Sequence, residues 1–178
     1  MNKLLKKVAL ICVLALVCVF FASCESVDAS RKSVTVTVIA GEFEKTYEAE
    51  GEFGYLADVL NFLQNENAEE GSVEEKKHDF TYSGTISIYG IMIKEVCGNT
   101  AVDNDPVVSD GGTTYSGSSW FIYTGSPREI NGVANHFEEF TYEYAEKTYY
   151  SCAKGASGQV VENGEHFLLV LSAYEYTY

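Results

Sequence analysis

The chain has 178 residues, of which 26 are Asp or Glu and 12 are Lys or Arg, for a formal net charge of −14. Nucleic acid is bound through basic patches that neutralise phosphate, so a surface this acidic argues against it; it argues equally against lying flat on an anionic bilayer. Two prolines and one tryptophan occur beside 13 tyrosines, a balance that suits pleated β-structure and, because the ring is amphipathic, a binding surface.

The chain opens with Lys3, Lys6 and Lys7, runs without charge from Val8 to Ala22, and places small Ala22 and Ser23 just before Cys24. A basic start, an apolar core and small residues at a cut site make a secretory signal. The apolar run is 15 residues long, short of the roughly 20 that a helix needs to cross hydrocarbon, and so reads as a signal rather than a permanent span. Phe21-Ala22-Ser23-Cys24 resembles a bacterial lipobox, with Phe21 where Leu is usual. The resemblance implies cleavage before Cys24 and a lipid on its sulfur. Stable anchoring takes more than one acyl chain, and bacterial lipoproteins carry two or three. The expected products are a signal peptide (1–23), a lipidated polar tether (24–33) and one domain (34–178), held at the outer face of a bacterial membrane or at the cell surface. Removing the first 23 of 178 residues leaves 155 and, with three lysines and no acid lost, takes the net charge from −14 to −17. Cys12 and Cys18 leave with the signal, so Cys97 and Cys152 remain. In an oxidising compartment the pair reads either as a disulfide or as two buried thiols.

In chain order, Val34, Val36 and Val38 alternate with Thr35 and Thr37, the period of a half-buried strand over 33–39. A turn containing Gly41 and a second strand over 44–50 complete a hairpin. Leu56, Val59, Leu60 and Leu63 recur at helical spacing and predict an amphipathic helix over 54–64, with Gly54 as N-cap and Asp58 favoured in the first turn. Residues 65–77 are acidic and polar and read as a solvated loop. Residues 86–96 read as one strand with Gly90 at a bulge, and 99–119 as a long polar loop. Trp120 to Thr124 is a strand, 125–135 a turn region holding Pro127 and Gly132, and Phe140, Tyr142 and Tyr144 share one face of the next strand. Residues 151–158 read as a loop, Asn163-Gly164 marks a turn, and 167–178 closes the chain as a strand. A hairpin, one helix and several strands give an α+β expectation: one helix laid on a mostly antiparallel or mixed sheet.

These segments, in this order, resemble the transcobalamin-like C-terminal domain of bacterial surface lipoproteins over most of 34–174. The matching pieces are Val34-Thr35-Val36, Tyr55-Leu56-Ala57-Asp58-Val59-Leu60, Tyr89-Gly90-Ile91-Met92-Ile93 before Gly98, Ser119-Trp120-Phe121-Ile122-Tyr123 and Asn163-Gly164-Glu165-His166-Phe167. The resemblance implies a β-grasp-like fold and a domain that holds a soluble ligand. In the animal transport proteins a separate helical domain closes over the corrinoid. This chain has no such domain and no histidine placed as a cobalt ligand, so a corrinoid is one candidate among small molecules.

No catalytic arrangement is readable. The serines lie outside any Gly-x-Ser-x-Gly elbow, no phosphate loop or dinucleotide fingerprint occurs, and neighbouring Glu138 and Glu139 point to opposite faces of a strand. The expectation is therefore a non-catalytic protein without a cofactor. His78, His136 and His166 lack paired spacing for zinc. Asp103, Asp105 and Asp110 offer hard oxygens, but not in an EF-hand pattern, and no metal site is assigned. Trp120 reads either as a core residue or as a ligand platform, with Tyr123, Tyr115 and Tyr89 beside it, because aromatic rings next to a polar loop stack flat ligands or bury a partner's side chain. The alternative is a surface module that meets a protein or glycan through exposed tyrosines and sheet edges.

Overall fold

The computed structural model describes residues 30–65 and 79–178. The signal, Cys24, His78 and the acidic stretch from Glu66 to Lys77 lie outside the described residues.

β1 (Arg31–Ala40) and β2 (Phe43–Glu52) pair antiparallel from Arg31↔Glu52 to Ala40↔Phe43. The two-residue turn between them places Gly41 at φ +62°, where a residue without Cβ is at ease. Val34, Val36 and Val38 are buried as their alternation predicts, but so is Thr37. β1 is an interior strand, hydrogen-bonded to β2 on one side and parallel to β12 (Glu165–Thr177) on the other, and on its second face the Thr37 hydroxyl lies 2.8 Å from both Thr46 Oγ1 and His166 Nε2.

Helix α1 (Leu56–Asn65) follows β2 and buries Leu56, Ala57, Val59, Leu60 and Leu63. Val59 and each of the three leucines contribute about 1.5–3 kcal/mol when taken wholly out of water. The helix starts two residues later than expected, with Gly54 outside it. The Asp58 carboxylate reaches back to accept N–H bonds from Gly54 (2.9 Å) and Tyr55 (2.8 Å), and the carbonyls of Gln159 and Ala156 accept from Leu56 and Ala57. The orphan donors of the first turn are thus satisfied from two sides.

The next segment is a hairpin rather than one bulged strand: β3 (Tyr82–Ser87) pairs with β4 (Gly90–Val96), and β5 (Asn99–Thr100) pairs with the end of β4. Gly90, at φ +103°, closes the Ile88-Tyr89 turn, and the register shift falls at Ser83/Gly84 instead. The polar stretch from Asn99 onward is also mostly strand. β6 (Val107–Ser109) turns at Asp110-Gly111 into β7 (Gly112–Thr124), a strand of 13 residues. A small hairpin, β8 (Glu129–Ile130) with β9 (Val133–Ala134), turns through Asn131 and Gly132, both at positive φ. β10 (His136–Tyr144) and β11 (Lys147–Cys152) complete the set.

The main sheet runs β10-β11-β7-β12-β1-β2, with β6 also on β7 and the β1–β12 pair parallel within an otherwise antiparallel sheet. Twelve strands stand against one ten-residue helix among the described residues. The α+β, β-grasp-like expectation is corrected to a sheet-dominated fold. The expectation counted the helix and the apolar strands but took the Thr-, Ser- and Gly-rich stretches for loops; those stretches are strands because partners far along the chain satisfy their backbone groups. The main core joins α1, the valines of β1, Trp120 and Ile122 of β7, Phe167 and Leu169 of β12, Phe80 just ahead of β3, and Ile93 and Val96 of β4. A second cluster, on the opposite face, holds Ile39, Tyr123, Tyr149, Leu168 and Val170.

Candidate functional site

A cavity lies between β4, with the β3–β4 turn, and the main sheet. Its volume is about 390 Å³, at the small end of ligand sites. Ile91, Met92 and Ile93 come from β4; Ser119, Trp120, Phe121 and Ile122 from β7; Ser151 and Cys152 from β11; Phe137 from β10; and Ala153 to Gly155 from the following loop, with Tyr89 at the hairpin turn. The geometry is fixed by backbone bonds: Gly155 N–H donates to Tyr89 O (2.8 Å) and Ala156 N–H to Ile91 O (3.1 Å). A Cβ at Gly155 would meet Ile91 O at 2.6 Å, so glycine is what lets loop and hairpin close this wall.

Trp120 is 6% exposed, and its Nε1 is buried with no acceptor. A buried unpaired donor costs about 1–3 kcal/mol, so the indole N–H is a polar group in want of a partner. Tyr89 is 61% exposed and forms the rim. Tyr123 lies in the second cluster on the other face of the sheet, its ring 5.5 Å from that of Tyr142; burial, and then Tyr142, raises its pKa. Tyr115 stacks on Tyr176 at 5.4 Å near the far end of β12. The cavity therefore brings together Trp120 and Tyr89, not Tyr123 or Tyr115. Trp120 and Tyr123 are an odd number of residues apart on one strand, so their side chains leave by opposite faces.

In the structure Cys97 and Cys152 are both free thiols. Cys97 sits in the β4–β5 turn with its Sγ 3.2 Å from the Tyr47 hydroxyl, whereas Cys152 lines the cavity at the end of β11. Burial, reinforced by Glu165, raises the Cys152 pKa well above the ordinary thiol value, with Arg128 opposing. The thiol stays protonated and is a wall of the cavity rather than a nucleophile. Sequence reasoning also missed Met92, Phe137 and Lys154. Met92 and Phe137 reach the cavity only through the hairpin and the β10–β11 register, while Lys154 carries no sequence signal beyond its charge.

Asp103 has other partners than a metal: it accepts from the Tyr174 hydroxyl at 2.6 Å and lies 4.0 Å from Lys94 Nζ. Among the described residues no three His, Cys, Asp or Glu side chains converge to hold a metal ion. Among them, too, no helix is long and apolar enough to cross a membrane.

No protein-family model and no curated protein matches the chain. Among solved structures, a chain from Ruminococcus gnavus ATCC 29149, described as a "putative metal binding protein", is similar at 22% identity and a TM-score of 0.44, over 79% of this chain and 96% of that one. That likeness is too loose to carry fold or ligand across.

Proposed function

We propose that the protein is an extracytoplasmic lipoprotein, anchored through Cys24, whose domain binds a small, largely apolar molecule in the cavity beneath the β3–β4 hairpin without transforming it. The observation that carries the reading is Trp120: the sole tryptophan of the chain forms a cavity wall and holds a buried indole N–H with no protein acceptor. The resemblance to transcobalamin-like domains supports a ligand-holding role but not cobalamin itself, because a corrinoid is several times larger than a space of about 390 Å³. Two measurements test the proposal. Titration of 4-butylbenzyl alcohol into the full chain gives saturable heat together with a change in Trp120 emission, whereas cobalamin gives heat no different from dilution; heat from cobalamin alone overturns the size argument. Cells fed labelled palmitate label the wild type and not Cys24→Ser; a labelled variant overturns the anchor.

A second reading, a surface-interaction module, draws on exposed aromatic side chains outside the cavity. Tyr178 is 87% exposed and Tyr176 47% at the end of β12. Retention on isolated cell envelopes that falls in the Tyr176→Ala, Tyr178→Ala double variant, with cavity binding intact, would favour this reading over the first.

A further inference from the structure

The cavity lining carries charge of one sign. Resting on the ligand-binding reading above, we infer that its ligand is an amphipathic anion: an apolar body seated against Trp120 and Ile91, with a carboxylate or similar acidic group at the rim beside Lys154.

Three observations converge. The lining contains one charged residue, Lys154, and no carboxylate, histidine or arginine. Secondly, Lys154 is unengaged. Every other cation among the described residues has a partner: Arg31 meets Glu50, Lys45 Asp79, Lys94 Asp103, and Arg128 Glu165; Lys32 donates to the carbonyls of Phe53 and Val161; and Lys147 lies over the Tyr149 ring at 5.3 Å. Lys154 alone of the described cations has no carboxylate, carbonyl or ring, in a chain where acids outnumber bases by 26 to 12. Its stem packs along the loop, within 3.1–3.6 Å of where a Gly158 Cβ would stand. Thirdly, the rest of the lining is apolar or neutral, with Trp120 and Ile91 among its walls. Lys154 is exposed to water, and an acidic group on the ligand exchanges that hydration for a charge-assisted bond, stronger than a neutral acceptor makes.

The opposing field is small. Glu165 acts on the Cys152 thiol, but its carboxylate is already held by Arg128 Nη1 at 3.1 Å, Arg128 Nη2 at 3.2 Å and Thr124 Oγ1 at 2.7 Å. A cationic ligand would meet Lys154 with nothing in the lining to compensate it. A neutral one would leave the ammonium to water.

The test uses the full chain and three compounds of one skeleton: 4-butylbenzoate, 4-butylbenzyl alcohol and 4-butylbenzylamine. Calorimetry gives the affinity and Trp120 emission gives the location. The benzoate should bind roughly tenfold tighter than the alcohol, and the amine more weakly than either. Lys154→Gln should erase the difference between benzoate and alcohol while leaving the alcohol's affinity unchanged. Trp120→Phe, followed by calorimetry, should leave the preference for benzoate over alcohol in place, since that preference lies with Lys154. Equal affinities for all three compounds, or a preference for the amine, overturn the anion inference and leave the cavity as a neutral site. Binding of none of them, with Trp120 emission unmoved, overturns the ligand-binding reading itself.

Discussion

The two faces of the main sheet are finished in different ways. On one face Val34, Val36, Val38, Ile122, Phe167 and Leu169 are sealed by α1 and the small sheet, apolar surface against apolar surface. On the other, Ile39, Leu168 and Val170 are covered by Tyr123 and Tyr149 with Tyr142 and Tyr144 packed alongside. There the cover carries its own polar edge: Tyr149 OH lies 2.8 Å from His166 Nδ1, His166 Nε2 2.8 Å from Thr37 Oγ1, and Tyr144 OH donates to Glu44 at 2.8 Å. A sheet can therefore close its second face without a second layer of helices, provided that the residues lying over it are amphipathic rings whose hydroxyls stay hydrogen-bonded. Much of the tyrosine content is accounted for by this face. Stability should accordingly be concentrated on the helix side, and substitutions can measure the contrast.

The largest effect is expected at the centre of the helix face. Leu60 is fully buried in the main cluster, and Leu60→Ala removes three carbons from a packed site and leaves a void, at a cost of about 4 kcal/mol. Urea denaturation should show this as a lower midpoint with the slope unchanged. A loss below about 1 kcal/mol would mean that the helix is not a principal anchor of the sheet.

Next comes the one ion pair built into the end of that face. Glu165 is 1% exposed and accepts from Arg128, Thr124 and the Glu162 N–H. Glu165→Gln leaves Arg128 facing a neutral amide that cannot accept on both atoms, with a loss of about 3 kcal/mol, since breaking a buried pair strands its partner. Arg128→Met should cost more than Glu165→Gln, because it strands a carboxylate that is 1% exposed, whereas the guanidinium left by Glu165→Gln is 16% exposed and still touches solvent. The reverse order, by the same denaturation assay, would show that the Thr124 hydroxyl and the Glu162 N–H suffice to hold the carboxylate.

How far the sequence announced these two faces depends on the signal. The helix face was legible: the Val34, Val36, Val38 alternation and the Leu56, Val59, Leu60, Leu63 stripe are local patterns, and both are buried as their periods require. The first half of β7 was not. Gly112 to Ser119 carries no apolar alternation, and it is strand because Tyr115 pairs with Tyr176 and Thr114 with both Thr177 and Val107, contacts that a local window does not contain. The β3–β4 turn was hidden for a related reason: Ile88-Tyr89 lacks the Asn-Gly or Asp-Gly pair that marks a tight hairpin. Of the proposed site, Trp120 and Tyr89 were found, whereas Tyr123 could have been set aside by parity alone once 120–124 was read as a strand. Lys154 becomes conspicuous only when the partners of every other cation are known.

On the tyrosine face the effects should be smaller and should depend on pH. Tyr149→Phe keeps the ring over Leu168 and removes one hydrogen bond to His166, a loss of about 1 kcal/mol. Burial, and then Lys147, lower the His166 pKa from its usual 6.5, so folding favours the neutral ring. Its contribution is complete above pH 6.5 and is lost as the pH falls from there through the lowered folded value. Stability measured from about pH 7 to pH 5 should decline in the wild type and decline less in His166→Gln. Parallel profiles would place the titrating group elsewhere.

The smallest effect is expected where the same face runs out beyond the sheet's neighbours. Tyr174 and Tyr176 stack at 5.9 Å, Tyr115 lies on Tyr176 at 5.4 Å, and Tyr178 meets Tyr176 edge-on at 5.4 Å. These rings touch one another more than they cover anything: β1 pairs with β12 only as far as Leu171, leaving β7 as the sole partner of β12 from Ser172 to Thr177. A ring that shields no apolar neighbour contributes only its own stacking, so Tyr176→Ala should change global stability by no more than about 0.5 kcal/mol. The loss should appear instead as faster amide exchange at Thr114 and Thr177, the pair beside it. A cost above about 2 kcal/mol would show that the tyrosine face is one cooperative cover from Tyr144 to Tyr178, and that the contrast between the two faces is one of chemistry and not of strength.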